Sequence, residues 1–228
     1  MSVVMDISES PQDEVWSGAS PVRVFIVNDH ALARQGLRDL LEHEGFEVVG
    51  ESGSAAEATL LIHVLNPDVA ILDERLPDGT GIEVCRDLRS SAPEVKCLIL
   101  TGWDAQHAMR ATILAGASGY LVKRVGDSQS LVERIRSAAA GRPLLEQGAR
   151  ARVAESLSAA AGVSWLEAMT VQEREVFGLM ARGLTNRQIE KDLAIPGETV
   201  ARCVSSVLQK LGFRRRGELS PTGNLSTD

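Results

Sequence analysis

Five short runs of apolar and β-branched residues recur through the first half of the chain, and the apolar residues between them have helical spacing. The runs are Val22–Val27, Phe46–Val49, Val69–Leu72, Val95–Leu100 and Gly119–Val122. Strands as uniformly apolar as these are buried on both faces, as happens when helices cover both sides of a parallel sheet. The pattern therefore predicts a doubly wound α/β unit with a five-stranded parallel sheet and about five helices.

The last quarter of the chain has a different, all-helical pattern. Thr170 with Glu173, and Thr185 with Gln188, have the spacing of capping boxes, which mark helix starts. A third helix is expected after the break at 195–197, because Val200, Val204 and Leu208 fall on one helical face. Short helices joined by tight turns are typical of a helix-turn-helix.

These patterns divide the chain into an N-terminal α/β unit, a linker and a small helical unit. The predicted segments are a mobile tail at 1–20, the α/β unit at 21–141, a linker at 142–166, the helix-turn-helix at 167–216 and a C-terminal tail at 217–228.

Charge is distributed unevenly between these parts. The chain carries a formal net charge of -7, but residues 166–216 hold nine Lys/Arg against six Asp/Glu. A basic balance in the helical part favours an anionic partner such as nucleic acid, despite the acidic total.

Cysteine content and hydropathy bear on where the protein works. Cys85, Cys97 and Cys203 are odd in number and far apart, which favours buried thiols over a disulfide framework. We expect a cytoplasmic protein without a membrane partner, because no apolar run approaches the roughly 20 residues that a spanning helix needs.

Polar residues that could bind a ligand or react lie at the ends of four of the predicted strands. Asp29 follows the first strand, Asp73 ends the third, Thr101 ends the fourth and Lys123 ends the fifth. Because the carboxyl ends of parallel strands share one edge of the sheet, these side chains should meet in one crevice. Two carboxylates, a hydroxyl and an ammonium group suit a divalent cation together with a phosphoryl group.

With these residues at the strand ends, the sequence resembles the receiver domain of response regulators, which has a flavodoxin-like fold. The matching motifs are Asn28–Asp29, Leu72–Asp73, Leu76–Pro77–Asp78–Gly79, Leu100–Thr101 and Tyr120–Leu121–Val122–Lys123. The resemblance implies that Asp73 accepts a phosphoryl group from a histidine kinase, and that Asp29, Asp73 and the backbone carbonyl of Arg75 hold Mg²⁺. It also implies that Lys123 and Thr101 contact the phosphate and that Tyr120 then moves inward.

Asn28 departs from the receiver pattern, which normally has an acidic residue there. Loss of one negative charge should weaken Mg²⁺ binding. The alternative left open is a receiver that switches without phosphate.

Residues 166–216 resemble the LuxR-type helix-turn-helix, so the chain as a whole is similar to NarL/LuxR-type response regulators. The resemblance implies a transcription regulator, not an enzyme, that binds double-stranded DNA as a homodimer through a recognition helix beginning near Glu198. The expected DNA-binding residues are Asn186, Arg187, Thr199, Arg202, Ser205, Gln209 and Lys210. Arg202 is expected to contact a base, and the cluster Arg214–Arg216 to contact phosphates.

Two further interpretations compete with this one. Ala201 and Cys203 replace residues usual in the recognition helix, which leaves open a protein-binding adaptor that no longer reads DNA. A phosphohydrolase is the enzymatic alternative, but Asp73–Glu74–Arg75 lacks the Asp-x-Asp that such enzymes commonly carry.

Overall fold

The computed structural model describes residues 20–102, 105–123, 128–158 and 164–217. The N-terminal tail predicted at 1–20 and the C-terminal tail at 217–228 lie almost entirely outside the described residues. The five expected strands are present and are all parallel. They are β1 (Arg23–Val27), β2 (Glu47–Ser52), β3 (Val69–Asp73), β4 (Lys96–Thr101) and β5 (Gly119–Val122).

The strand order is β2-β1-β3-β4-β5, and helices cover both faces, which confirms the predicted doubly wound class. The covering helices are α1 (Ala31–His43), α2 (Ala55–Leu65), α3 (Gly81–Ser91), α4 (Ala105–Ala115) and α5 (Ser128–Ala139). Successive strand residues alternate between two cores: Phe25 and Leu72 pack towards α2, α3 and α4, whereas Ile26 and Ile71 pack towards α1 and α5. Burial on both faces explains why the central strands are apolar except at their ends.

β2 differs from its prediction because it is an edge strand. It runs on through Gly50, Glu51 and Ser52, which are not apolar, since pairing with β1 continues to Val27. Most of its residues are only half-buried, so the hydrophobic pattern does not mark its end.

In the part of the chain that the structure describes, five helices follow the α/β unit. They are α6 (Ala149–Ser158), α7 (Ser164–Glu167), α8 (Val171–Ala181), α9 (Asn186–Leu193) and α10 (Gly197–Lys210). Both predicted capping boxes are formed: Thr170 with Glu173 begins α8, and Thr185 with Gln188 begins α9. Ala194, in the left-handed region at φ 51°, ends α9, and Pro196 precedes α10.

The helical unit is packed against the α/β unit. α9 contacts α3, α8 contacts α4, and α6 lies against both α4 and α8. Apolar side chains of α8 and α10, such as Phe177 and Val204, continue the core formed by α2, α3 and α4. The three cysteines are buried and unpaired. Among the described residues, no helix has the length and apolar character needed to cross a membrane.

Candidate functional site

Two carboxylates meet at the carboxyl edge of the sheet. Asp29 follows β1 and Asp73 ends β3, and these strands are neighbours. Oxygens of Asp29 and Asp73 and a ring nitrogen of His30 all lie within 4.8 Å of one another. Asp29 and Asp73 therefore lie together at one edge of the sheet.

Asp73 is also paired with a cationic side chain. The Asp73 side chain is nearly inaccessible, and Lys123, which directly follows β5, donates from Nζ to Oδ2 of Asp73 at 2.7 Å. The backbone N–H of Arg75 donates to Oδ1 at 3.4 Å. A carboxylate fixed between donors at the mouth of a crevice presents oxygen as a nucleophile in one orientation.

The residues present fit a hard divalent cation. Oδ1 of Asp29 is buried and accepts no hydrogen bond from the described residues, although Nδ1 of His30 lies 3.0 Å away. An unsatisfied buried carboxylate oxygen beside the Asp73 carboxylate is the donor chemistry that Mg²⁺ prefers. Arg75, two residues after Asp73, is close enough in the chain to add its carbonyl.

Asn28 is buried, and its carboxamide oxygen accepts from the backbone N–H of His30 at 2.8 Å. This local bond resembles an Asx turn and shapes the loop that carries Asp29. The carboxylate charge of the pocket therefore rests on Asp29 and Asp73.

The two residues expected to switch lie on adjacent strands. Thr101 ends β4 and is buried, and its carbonyl accepts from the N–H of Lys123 at 2.8 Å. Tyr120 in β5 is half-exposed, and the guanidinium of Arg134 lies 5.0 Å from its ring centre. Arg134 also donates to the Tyr120 carbonyl at 3.0 Å, which anchors α5 to β5.

A residue from beyond α10 reaches this pocket, which the sequence did not predict. Nε of Arg216 lies 2.6 Å from Oδ2 of Asp29, and its terminal nitrogen NH2 lies 3.9 Å from Oδ2 of Asp73. The backbone N–H of Arg216 donates to the carbonyl of Leu76 at 3.0 Å. No local signal reveals this placement, because it depends on how the two units pack.

A second pair next to the pocket also went unpredicted. Glu74 is buried, and its carboxylate lies 2.8 Å from Nε2 of His107 in α4. The His107 ring packs against Phe213, with the ring centres 4.7 Å apart. Phe213 is buried, so the chain beyond α10 is fixed against the α/β unit at Phe213 as well as at Arg216.

α10 divides into a buried face and a more exposed face. Its buried residues are Val200, Cys203, Val204, Val207 and Leu208. Arg202 and Gln209 are exposed, and Arg202 donates to Oγ1 of Thr199 at 3.3 Å. Arg202 thus lies on the accessible side of the expected recognition helix, whereas Cys203 belongs to the core.

Two other residues that were expected to contact DNA form hydrogen bonds with side chains of the protein itself. The Ser205 hydroxyl donates to the Glu83 carboxylate of α3. Lys210 donates to Glu173 at 2.6 Å. Although burial raises the pKa of Glu173, its hydrogen bonds from Lys210, Ser206 and Thr170 outweigh burial and lower that pKa to about 2. Lys210 is thus part of a packed ion pair inside the helical unit.

Asn186, at the start of α9, is bound by α3. Its carboxamide oxygen accepts from Nε of Arg86 at 2.9 Å, and its Nδ2 donates to Asp87 at 3.1 Å. Arg86 is fully buried and also donates to the carbonyls of Leu114 and Leu184. Burial, together with nearby Arg89, lowers the pKa of Arg86 to about 10, so it stays charged at neutral pH.

Arg187, the neighbour of Asn186, is exposed. Of the seven expected DNA-binding residues, Arg187, Arg202 and Gln209 are therefore accessible, Thr199 is half-exposed, and Asn186, Ser205 and Lys210 are held by carboxylates or by Arg86.

Comparison with known proteins matches both units. Residues 24–136 match the family described as response regulator receiver domain, and residues 167–220 match bacterial regulatory proteins, luxR family. The chain is 47% identical over 197 residues, 86% of this chain and 90% of the relative, to the DNA-binding transcriptional activator DevR/DosR of Mycobacterium tuberculosis. It is 36% identical to the nitrate/nitrite response regulator protein NarP of Escherichia coli, covering 87% and 92% of the two chains.

A solved structure supports the same assignment. A two-component response regulator of the LuxR family from Aurantimonas sp. SI85-9A1 superposes with a TM-score of 0.52 at 34% identity, covering 61% of this chain and 99% of that one. With matching sequence over both units, the chain belongs to the DNA-binding transcription regulators of two-component systems, with a receiver domain followed by a LuxR-type helix-turn-helix.

Proposed function

We propose that this regulator is controlled by transfer of a phosphoryl group from a histidine kinase to Asp73. The observation that carries the proposal is the fixed position of Asp73, between Nζ of Lys123 at 2.7 Å and the carboxylate of Asp29. In the transfer, an Asp73 oxygen attacks phosphorus, the phosphorus–nitrogen bond of phosphohistidine breaks, and the imidazole leaves. Mg²⁺, held by Asp29, Asp73 and the carbonyl of Arg75, would neutralise charge on the transferring oxygens.

The chain's own residues then adjust to the new charge. Lys123 exchanges its bond with the Asp73 carboxylate for one with a phosphate oxygen. The Thr101 hydroxyl turns to a second phosphate oxygen, and Tyr120 fills the space behind it. The charge of the phosphate on Asp73 thereby shifts Thr101 and Tyr120 from one arrangement to the other.

In the conformation described, the helical unit is not free to bind DNA. Ser205 and Asn186, on the side of α9 and α10 expected to meet the duplex, contact Glu83, Arg86 and Asp87 of α3. A duplex cannot approach these residues while α3 covers them. We propose that phosphorylation weakens this contact and that the released protein binds double-stranded DNA as a homodimer, in the cytoplasm of a bacterial cell.

The phosphorylation step is tested by labelling with acetyl phosphate and Mg²⁺. Asp73→Asn should lose the acid-labile label. Asp68→Asn is the matched control: Asp68 directly precedes β3 at the opposite end, where it accepts from the Arg23 N–H at 2.8 Å. This control should be labelled like the wild type, and stoichiometric labelling of Asp73→Asn would refute the assignment.

A phosphate-independent receiver is the second candidate, and Asn28 with Arg216 in the pocket favours it. If the wild-type protein is not labelled by acetyl phosphate but still binds DNA, the phosphate-independent function is the correct one. If no form binds DNA in a salt-dependent gel shift, the adaptor interpretation holds instead.

A further inference from the structure

Arg216 brings a positive charge to the two carboxylates that are expected to bind the cation. Besides its contacts with Asp29 and Asp73, its terminal nitrogen NH1 lies 3.2 Å from Nε2 of His30. The guanidinium nitrogens thus lie within 3.9 Å of all three members of the candidate metal-binding group. It lies at the mouth of the pocket, with 37% of its side chain exposed.

The charges of the pocket balance without a metal ion. Two carboxylates, Asp29 and Asp73, face two cationic side chains, Lys123 and Arg216. Adding a divalent ion to this balanced set would give the pocket an excess of positive charge at short range, where like charges repel strongly. Asn28 adds no third carboxylate that could offset the excess.

We propose that Arg216 stands in for the divalent cation, so that cation binding and Arg216 docking exclude each other. The inference rests on the proposed cation site and adds a regulatory step to it. Cation binding alone, before any phosphoryl transfer, displaces Arg216 and loosens the chain beyond α10. Because linkage is reciprocal, docking of Arg216 lowers cation affinity by the factor with which the cation weakens docking.

Displacement of Arg216 can affect α10, the expected recognition helix, because only a short stretch of chain separates them. Arg216 is six residues beyond Lys210, the last residue of α10, and Phe213 between them packs on His107. The Arg216 N–H bond to the Leu76 carbonyl does not depend on the side chain. Removing the guanidinium therefore removes the charge contact while this backbone bond can still form.

The test is a titration with Mn²⁺, a spectroscopic substitute for Mg²⁺, in which free ion is followed by electron paramagnetic resonance. Arg216→Ala should bind the ion about 5- to 150-fold more tightly than wild type, the usual range of coupling between two sites. Arg215→Ala removes the same charge from the exposed neighbour and should match wild type. Equal affinities of Arg216→Ala and wild type would overturn the proposal.

Backbone hydrogen exchange gives a second measurement on the full chain. In wild type, Mg²⁺ should speed exchange in residues 207–217, whereas in Arg216→Ala it should leave exchange in these residues unchanged. Unchanged or slower exchange in wild type with saturating Mg²⁺ contradicts the proposal. If Arg216→Ala folds poorly, Arg216→Gln keeps the aliphatic stem and must show the same gain in Mn²⁺ affinity.

Acetyl phosphate labelling of the same samples separates the two proposals. Labelling of Asp73 without any gain in Mn²⁺ affinity refutes the role of Arg216 and leaves the phosphoacceptor in place. A gain in affinity without labelling supports the role of Arg216 and refutes the phosphoacceptor.

Discussion

Two of the arginines that join the helical unit to the receiver do so in contrasting ways. Arg86 is fully buried in α3 and binds neutral acceptors, namely two carbonyls and the Asn186 amide. Arg216 is partly exposed and is paired with the carboxylates of the acidic pocket. Chemistry at Asp73 changes the charge around Arg216 but not the groups around Arg86. We therefore expect Arg86 to stabilise the arrangement in which α9 packs against α3. Arg216, in contrast, should respond to changes of charge in the acidic pocket.

Replacing Arg86 should have the largest effect. Arg86→Met leaves the carbonyls of Leu114 and Leu184 and the Asn186 amide without their donor, so we expect the free energy of unfolding to fall by about 2–4 kcal/mol. Urea denaturation measures the loss, and exchange of the α9 amides should rise. Arg89→Met is the control, because Arg89 makes one 3.2 Å bond to the Gly183 carbonyl. Equal losses in both variants would contradict the special role of Arg86.

Glu173→Gln tests whether the helical unit is stabilised independently of both arginines. The depressed pKa of Glu173 means that its ionised form stabilises the fold above the ordinary value of 4.5, and that this contribution is lost as pH falls towards about 2. We expect Glu173→Gln to cost about 1–3 kcal/mol at pH 7. The difference from wild type should shrink between pH 4.5 and pH 2. A difference that does not vary with pH would show that ionisation is not the cause.

Arg202 lies on a face of α10 that neither arginine contact involves. If Arg202 reads a base, Arg202→Ala should weaken binding to the cognate site by about 1–3 kcal/mol and leave the salt dependence unchanged. Arg187→Ala, at the exposed start of α9, should instead weaken binding to all sequences and lower the salt slope by about one unit. Fluorescence anisotropy at several salt concentrations measures both. A lower salt slope in Arg202→Ala would make Arg202 a phosphate contact.

Asn28→Asp tests how Arg216 and the pocket charge together set the Mg²⁺ affinity. The expected effect is smaller than those above. A third carboxylate leaves net negative charge in the pocket even with Arg216 docked, so Mg²⁺ affinity should rise by about 1 kcal/mol, or roughly fivefold. Asn28→Ser is the neutral control. Calorimetric titration that shows equal or weaker binding in Asn28→Asp would place residue 28 outside the reach of the ion.

Local signals in the sequence predicted the α/β class, the strands and both capping boxes, because each depends on residues close together in the chain. The convergence of Asp29, Asp73 and Lys123 also followed, since parallel strands bring their carboxyl ends to one edge. The end of β2 did not, because an edge strand need not be apolar.

Contacts between the two units could not be predicted from local signals. Asn186 and Ser205 have the exposure pattern of DNA-facing residues in their own helices, and only the packing of α3 against α9 and α10 engages them. The same holds for Arg216, whose position in an arginine cluster indicates phosphate binding. Its partners are 140 or more residues earlier in the chain.

We expect a phosphoryl group at Asp73 to separate α9 from α3. Spin labels at Ser91 and Lys191, which are exposed on these two helices, report this distance by double electron–electron resonance. Addition of Mg²⁺ and beryllium fluoride, which mimics a phosphoryl group on aspartate, should replace one narrow distance distribution with a longer and broader one. An unchanged distribution in protein whose Asp73 is shown to carry the mimic would contradict the claim.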